Sequence, residues 1–194
     1  MAATYSEMIE LGTKAPPFEL PAANAGIAGG DDTRRLEDFH DAAVLVVVFT
    51  CNHCPYARHV EDGLIETATA YESRSVRFVA ISSNDPHQYP DDAFDAMAQR
   101  ADAKGYPFPY LFDETQEVAR SYGAACTPDI FVFDRDRKLV YRGRFDETRP
   151  GQGHPTGRDL RAALDELLEL GRVSIEQHPS IGCNIKWKPG NAPS

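Results

Sequence analysis

The feature that most constrains this chain is a pair of cysteines, Cys51 and Cys54, set between a long apolar run and a proline. Residues 43–49 (Ala-Val-Leu-Val-Val-Val-Phe) form an unbroken, largely β-branched stretch, the pattern of a strand covered on both faces. Pro55 suits a first helical turn, where its missing N–H costs nothing. Val60, Leu64, Ile65 and Ala68 follow at helical spacing. The spacing predicts a strand, a turn carrying Cys51-Asn52-His53-Cys54, and a helix reaching Ser73. A helix N-terminus offers unpaired N–H groups and the positive end of the dipole, which draw a thiol down from its free value of ~8.5. Cys51, at the open end of the turn, is expected to be the low-pKa nucleophile. Cys54, beneath the helix, is expected to resolve the mixed disulfide. A bare Cys-x-x-Cys can also be half of a zinc site. No second Cys-x-x-Cys or Cys-x-x-His follows to complete one, so neither metal nor cofactor is expected.

The rest of the chain supplies a frame for that turn. Residues 12–20 read as an entry turn and short edge strand, residues 22–32 as a glycine-bearing loop, and residues 36–39 as a short turn. A second buried strand is expected over Val76–Ser82, then a loop over 85–90 and a helix over Asp91–Ala103 with acidic residues in its first turn. Glu114–Tyr122 reads as a short helix stopped by Gly123. Asp129–Phe133 and Lys138–Arg144 read as an antiparallel hairpin, and Leu160–Leu170 as an amphipathic helix ended by Gly171. The order β-α-β-α-α-β-β-α predicts an α/β fold, a central mixed sheet with helices on both faces.

Three further residues draw attention to a second segment. Cys126-Thr127-Pro128 immediately precedes a predicted strand, where a proline should interrupt pairing and expose backbone. The Thr127–Pro128 bond is expected to be cis and to lie against the cysteine pair. Cys126 is either a third redox-active sulfur or a small hydrophobe filling a gap. Residues 172–194 extend beyond the last helix and hold Ile181, Cys183, Ile185 and Trp187. Such a tail is expected to pack on the body formed by residues 1–171, either covering an apolar face or bringing Cys183 to the site as an extra thiol.

With a net charge of −10, the chain lacks the basic excess that nucleic acid or an anionic membrane would require. No apolar run is long enough to span a bilayer. The opening Met-Ala-Ala-Thr-Tyr-Ser-Glu carries neither a basic nor an apolar signal region, which predicts a cytoplasmic protein. In such a compartment cysteines are more often catalytic or metal-binding than structural.

Strand, Cys-x-x-Cys, helix, then Thr-Pro before a hairpin and a closing helix resembles the thioredoxin fold. The opening Leu-Gly-Thr-Lys-Ala-Pro-Pro-Phe-Glu-Leu and Tyr141-Arg-Gly-Arg-Phe-Asp146 resemble the redoxin (AhpC/TSA) branch. Phe49-Thr-Cys-Asn-His-Cys-Pro-Tyr56 and Ser180-Ile-Gly-Cys-Asn-Ile-Lys-Trp-Lys-Pro189 are similar to an uncharacterised peroxiredoxin-like group. The resemblance implies thiol chemistry with departures. Thioredoxins have Trp where Thr50 stands, Gly-Pro where Asn52-His53 stand, and a buried carboxylate where Leu45 stands. Peroxiredoxins have Pro and Thr seven and three residues before the peroxidatic cysteine. Counting from Cys54 these positions hold Val47 and Cys51, and no Arg lies within residues 126–133. His53, placed as in more oxidising relatives, is expected to support a thiolate and raise the potential.

Three functions follow as expectations. The first is a thiol–disulfide oxidoreductase or redox sensor acting on protein or small-molecule thiols, with Thr127-Pro128 holding the substrate strand. The second is a thiol peroxidase. The third is a zinc- or partner-binding module built from Cys51 and Cys54 with Cys126 or Cys183.

Overall fold

The computed structural model describes residues 3–26 and 32–193. In chain order the strands and helices are β1 (Thr4–Tyr5), β2 (Glu19–Pro21), β3 (Thr33–Arg35), β4 (Val44–Phe49), α1 (Pro55–Tyr71), β5 (Val76–Ser82), α2 (Phe94–Lys104), β6 (Tyr110–Phe112), α3 (Glu117–Tyr122), β7 (Cys126–Thr127), β8 (Asp129–Phe133), β9 (Leu139–Gly143), α4 (Arg158–Leu170) and β10 (Ile181–Asn184). The main sheet has the order β6-β5-β4-β8-β9. β4 runs parallel to β5, and β5 to β6, whereas β8 pairs antiparallel with both β4 and β9.

β4 shows why an uninterrupted apolar strand must be central. Val44, Val46 and Val48 point into a core with Val60 and Leu64 of α1, Met97 of α2, and Leu160 and Leu164 of α4. Leu45, Val47 and Phe49 point the other way, against Val118, Ala119 and Tyr122 of α3, Phe18 near the N-terminus and Ile185 of the tail. All six side chains of β4 are buried. At ~1.5–3 kcal/mol for each fully buried aliphatic or aromatic side chain, β4 is a firm base for the turn that follows it.

Several boundaries differ from expectation. β6 lies between the two central helices, where no strand is expected; its three residues pair with Ala80–Ser82. The second helix begins at Phe94, because residues 90–92 form a separate 3-10 turn and Ala93 is extended. The third begins at Glu117, since Gln116 is left-handed with φ 65°. There the Asp113 carboxylate accepts the Ala119 amide at 2.9 Å. β2 pairs with β3, so residues 33–35 form a strand directly after the expected loop. Of that loop, residues 27–31 lie outside the described residues. Among the described residues, no helix is long and apolar enough to cross a membrane.

A second, three-stranded sheet has the order β1-β10-β7. It ties both chain ends to the segment before Pro128: Thr4 faces Gly182, and Cys183 faces Thr127.

Candidate active site

β4 ends at Phe49, and the Thr50 amide donates to the Ile81 carbonyl at 2.9 Å, extending the ladder one residue before the chain turns. Cys54 is the N-cap of α1 and Pro55 its first residue, so both thiols lie at the helix N-terminus. The Thr127–Pro128 bond is cis. Thr127 touches both sulfurs: its Oγ1 lies 3.5 Å from Cys51 Sγ, and its carbonyl oxygen accepts the Cys54 thiol at 3.1 Å. Cys54 is fully buried, while Cys51 keeps 5 % of its surface and is the more open of the two.

The electrostatics reverse the expected assignment of charge. The Cys51 thiol donates to Cys54, which is the largest influence holding Cys54 well below the usual thiol range. Burial opposes this, and further hydrogen bonds from Cys183, Thr127 and the Ala57 amide assist it. Cys51 is pushed the other way, first by sharing its proton with Cys54, then by burial and by the nearby Asp92 carboxylate. The Thr127 carbonyl would repel a Cys54 thiolate, yet the helix N-terminus and the donating thiols outweigh one carbonyl dipole. The pair therefore titrates as one unit, giving up its first proton easily and its second with difficulty. Contrary to the expectation for Cys51, a neighbouring thiol and the helix amide favour charge on the second cysteine, and a carboxylate faces the first.

That carboxylate has no role in the sequence reading. Asp92 is fully buried in the 3-10 turn before α2. Its Oδ1 accepts the Asn52 amide at 2.7 Å and the His53 amide at 3.2 Å. Its Oδ2 accepts His53 Nδ1–H at 2.5 Å and the Asn84 amide group at 2.8 Å. Asn52 in turn accepts from the Tyr110 hydroxyl at 3.1 Å, and the His53 ring stacks on Tyr89 with centroids 4.7 Å apart. The two residues between the cysteines are thus clamped by a segment about forty positions away. His53 Nδ1 is 3.9 Å from Cys51 Sγ, close enough to influence it but shared with Asp92.

A family model described as the AhpC/TSA family matches residues 11–142. The chain belongs to the AhpC/TSA family. It is thus a redoxin of the thioredoxin superfamily, with the expected mixed α/β architecture. Among solved structures, an uncharacterized conserved protein of Geobacillus kaustophilus is 54% identical, with a TM-score of 0.91 over 98% of each chain. A hypothetical protein of Sinorhizobium meliloti is 45% identical, with a TM-score of 0.90 over 96% of this chain and 100% of that one. A peroxidoxin of Mycobacterium tuberculosis shares the fold at 20% identity and a TM-score of 0.57, over 79% of this chain and 94% of its own. A search of curated proteins finds no significant match.

In this AhpC/TSA member the remaining cysteines separate. Cys183 is buried in one cluster with Cys51, Cys54 and Ala57. Cys126 is fully buried beside Pro128, its thiol directed at the Pro128 carbonyl at 3.5 Å. Burial, with Asp129 nearby, pushes Cys126 far up, which suits a space-filling thiol rather than a reactive one. The backbone edge of Thr127, expected to receive a substrate strand, is filled by β10 of the same chain.

For a metal, Cys51, His53 and Asp92 place donor atoms within 4.8 Å of one another. Two of these donors, His53 Nδ1 and Asp92 Oδ2, stand at hydrogen-bond distance. That is nearer than two ligands held ~2.0–2.2 Å from one zinc ion at a tetrahedral angle. The arrangement as it stands is that of an oriented histidine.

Proposed function

We propose that this redoxin is a thiol–disulfide oxidoreductase in which Cys51 and Cys54 cycle between dithiol and disulfide, with small disulfides as substrates. The observation that carries the reading is the placement of both sulfurs at the N-terminus of α1, with Thr127 touching both. A disulfide meets Cys51, the more open sulfur. As Cys51 attacks, its proton passes to Cys54, and one half of the substrate leaves as a thiolate. Cys54 then passes that proton to the departed thiolate and attacks Cys51, closing the Cys51–Cys54 bond and releasing the second half as a thiolate. Two cysteine sulfurs are oxidised and one disulfide is reduced to a thiol and a thiolate. Small substrates suit the site because β10 already occupies the edge to which an extended polypeptide would add.

Equilibration with glutathione buffers tests the reading. The expected result is loss of two thiols as one reversible couple, with little reduction of insulin. Independent titration of the two cysteines would overturn it. The low-lying Cys54 supports a second reading, a thiol peroxidase, although Val47 and Cys51 stand where that chemistry would use Pro and Thr. Hydrogen peroxide turnover with a thioredoxin-type reductant decides between the two.

A further inference from the structure

We propose that Cys183 is a third catalytic thiol, which takes over the disulfide from Cys51 by attacking Cys54; this rests on the dithiol–disulfide reading above. β10 lies antiparallel to β7 with Cys183 opposite Thr127, the residue whose hydroxyl and carbonyl meet Cys51 and Cys54. Cys51, Cys54 and Cys183 are buried in one cluster, so the Cys54 sulfur has two possible disulfide partners beside it.

The placement of β10 is built into the fold at several points. A Cβ at Gly182 would fall 2.0 Å from the Thr127 carbonyl oxygen, so only glycine permits the approach that seats Cys183. Upstream, the Ser180 hydroxyl donates to the Gly143 carbonyl at 2.7 Å, and the Ser180 amide to the Ser6 hydroxyl at 2.9 Å. Downstream, the Lys186 amide donates to Asn84 Oδ1 at 2.8 Å, and the Gln116 amide group to the Lys186 carbonyl at 2.9 Å. Asn84 also bonds Asp92, so the tail and the His53 clamp share a residue.

The step balances within the protein. After a disulfide substrate has oxidised Cys51 and Cys54, the Cys183 sulfur attacks Cys54. The Cys54–Cys183 bond forms, the Cys51–Cys54 bond breaks, and the proton lost by Cys183 ends on Cys51. No electrons leave the protein. In the reduced protein, burial and then the neighbouring Cys54 hold the Cys183 thiol up. Once Cys54 is in a disulfide its charge is gone, and Cys183 is freer to react. The result is a buried Cys54–Cys183 bond with Cys51 regenerated as a thiol.

Trypsin makes the outcome readable, because Cys51 and Cys54 share the peptide 36–58 while Cys183 lies in 173–186. The test oxidises folded full-length Cys51→Ser with diamide and maps its disulfides. The expected main product is peptide 36–58 linked to 173–186, and adding Cys183→Ser or Gly182→Ala should abolish that link while the melting transition persists. Cys51→Ser that keeps Cys183 as a free thiol, although the wild-type chain forms its disulfide within peptide 36–58, would overturn the role of Cys183 alone. A wild-type chain that forms neither a disulfide within peptide 36–58 nor a link from it to 173–186 would overturn both readings.

Discussion

Asp92, bonded to the turn between the two cysteines, and Asp129, next to Pro128, are both fully buried carboxylates, and the chain uses them differently. Asp92 accepts four hydrogen bonds, three of them from Asn52 and His53, and the His53 side chain keeps 13% exposure. Asp129 pairs with Arg142, and both side chains are completely buried. Arg142 also donates to the Gly123 carbonyl at 2.6 Å and lies over the Phe131 ring, while its Nε and Nη1 have no hydrogen-bond partner among the described residues. Burial pushes the Asp129 carboxyl up against the pull of Arg142. One carboxylate orients the two residues between the cysteines; the other pairs with Arg142 in the core. A buried ion pair is weak evidence of function, and what distinguishes Asp92 is that its bonds go to the turn between two thiols.

The largest effect should come from the closed pair. Arg142→Leu leaves Asp129 buried and unpaired and should cost ~3–5 kcal/mol in urea unfolding. The redox potential of whatever folded protein remains should be unchanged, and a shifted potential would blur the distinction between the two carboxylates. Asp92→Asn should cost less, ~1–3 kcal/mol, because it weakens hydrogen bonds to partners that are partly open to water. It should also lower the Cys51 thiol by removing the charge that faces it, which alkylation rates against pH would record.

His53→Ala should lower the dithiol potential by ~30 mV, one tenfold step for a two-electron couple, since Asp92 shares the imidazole. The wild-type potential should lie above thioredoxin's ~−270 mV. No change on removing His53 would leave Asp92 acting on Cys51 alone. The smallest effect is a slope. With Cys54 held low and Cys51 held high, reduction takes up one proton rather than two at neutral pH. The potential should then fall by ~30 mV per pH unit as pH rises, half the two-proton slope. The sign follows because protons are consumed on reduction. The same depressed Cys54 stabilises the reduced fold above the unfolded thiol value of ~8.5 and loses that contribution as pH falls through its folded value.

What was legible in the sequence was local. The run of residues 43–49, the Cys51–Cys54 spacing and Pro55 fixed strand, turn and helix, because each signal spans only a few residues. β6 was not legible: three residues after Pro107-Phe-Pro109 carry no period long enough to read. Asp92 was misplaced for a different reason. An acidic pair before an apolar stretch reads as a helix start, whereas its carboxylate is spent on Asn52 and His53 across the fold. Cys183 could be singled out as a thiol in a tail with packing residues, but its register against Thr127 depends on long-range pairing with β7 and β1.

The central claim is that Cys51 receives the substrate and Cys54 completes the exchange. A chain carrying Cys54→Ser and Cys183→Ser, incubated with oxidised glutathione and digested with trypsin, tests it most directly. The account predicts a stable glutathione adduct on peptide 36–58, where Cys51 is then the one remaining thiol, with Cys126 unmodified. Peptide 36–58 left as a free thiol under conditions in which the wild-type dithiol is oxidised would contradict it.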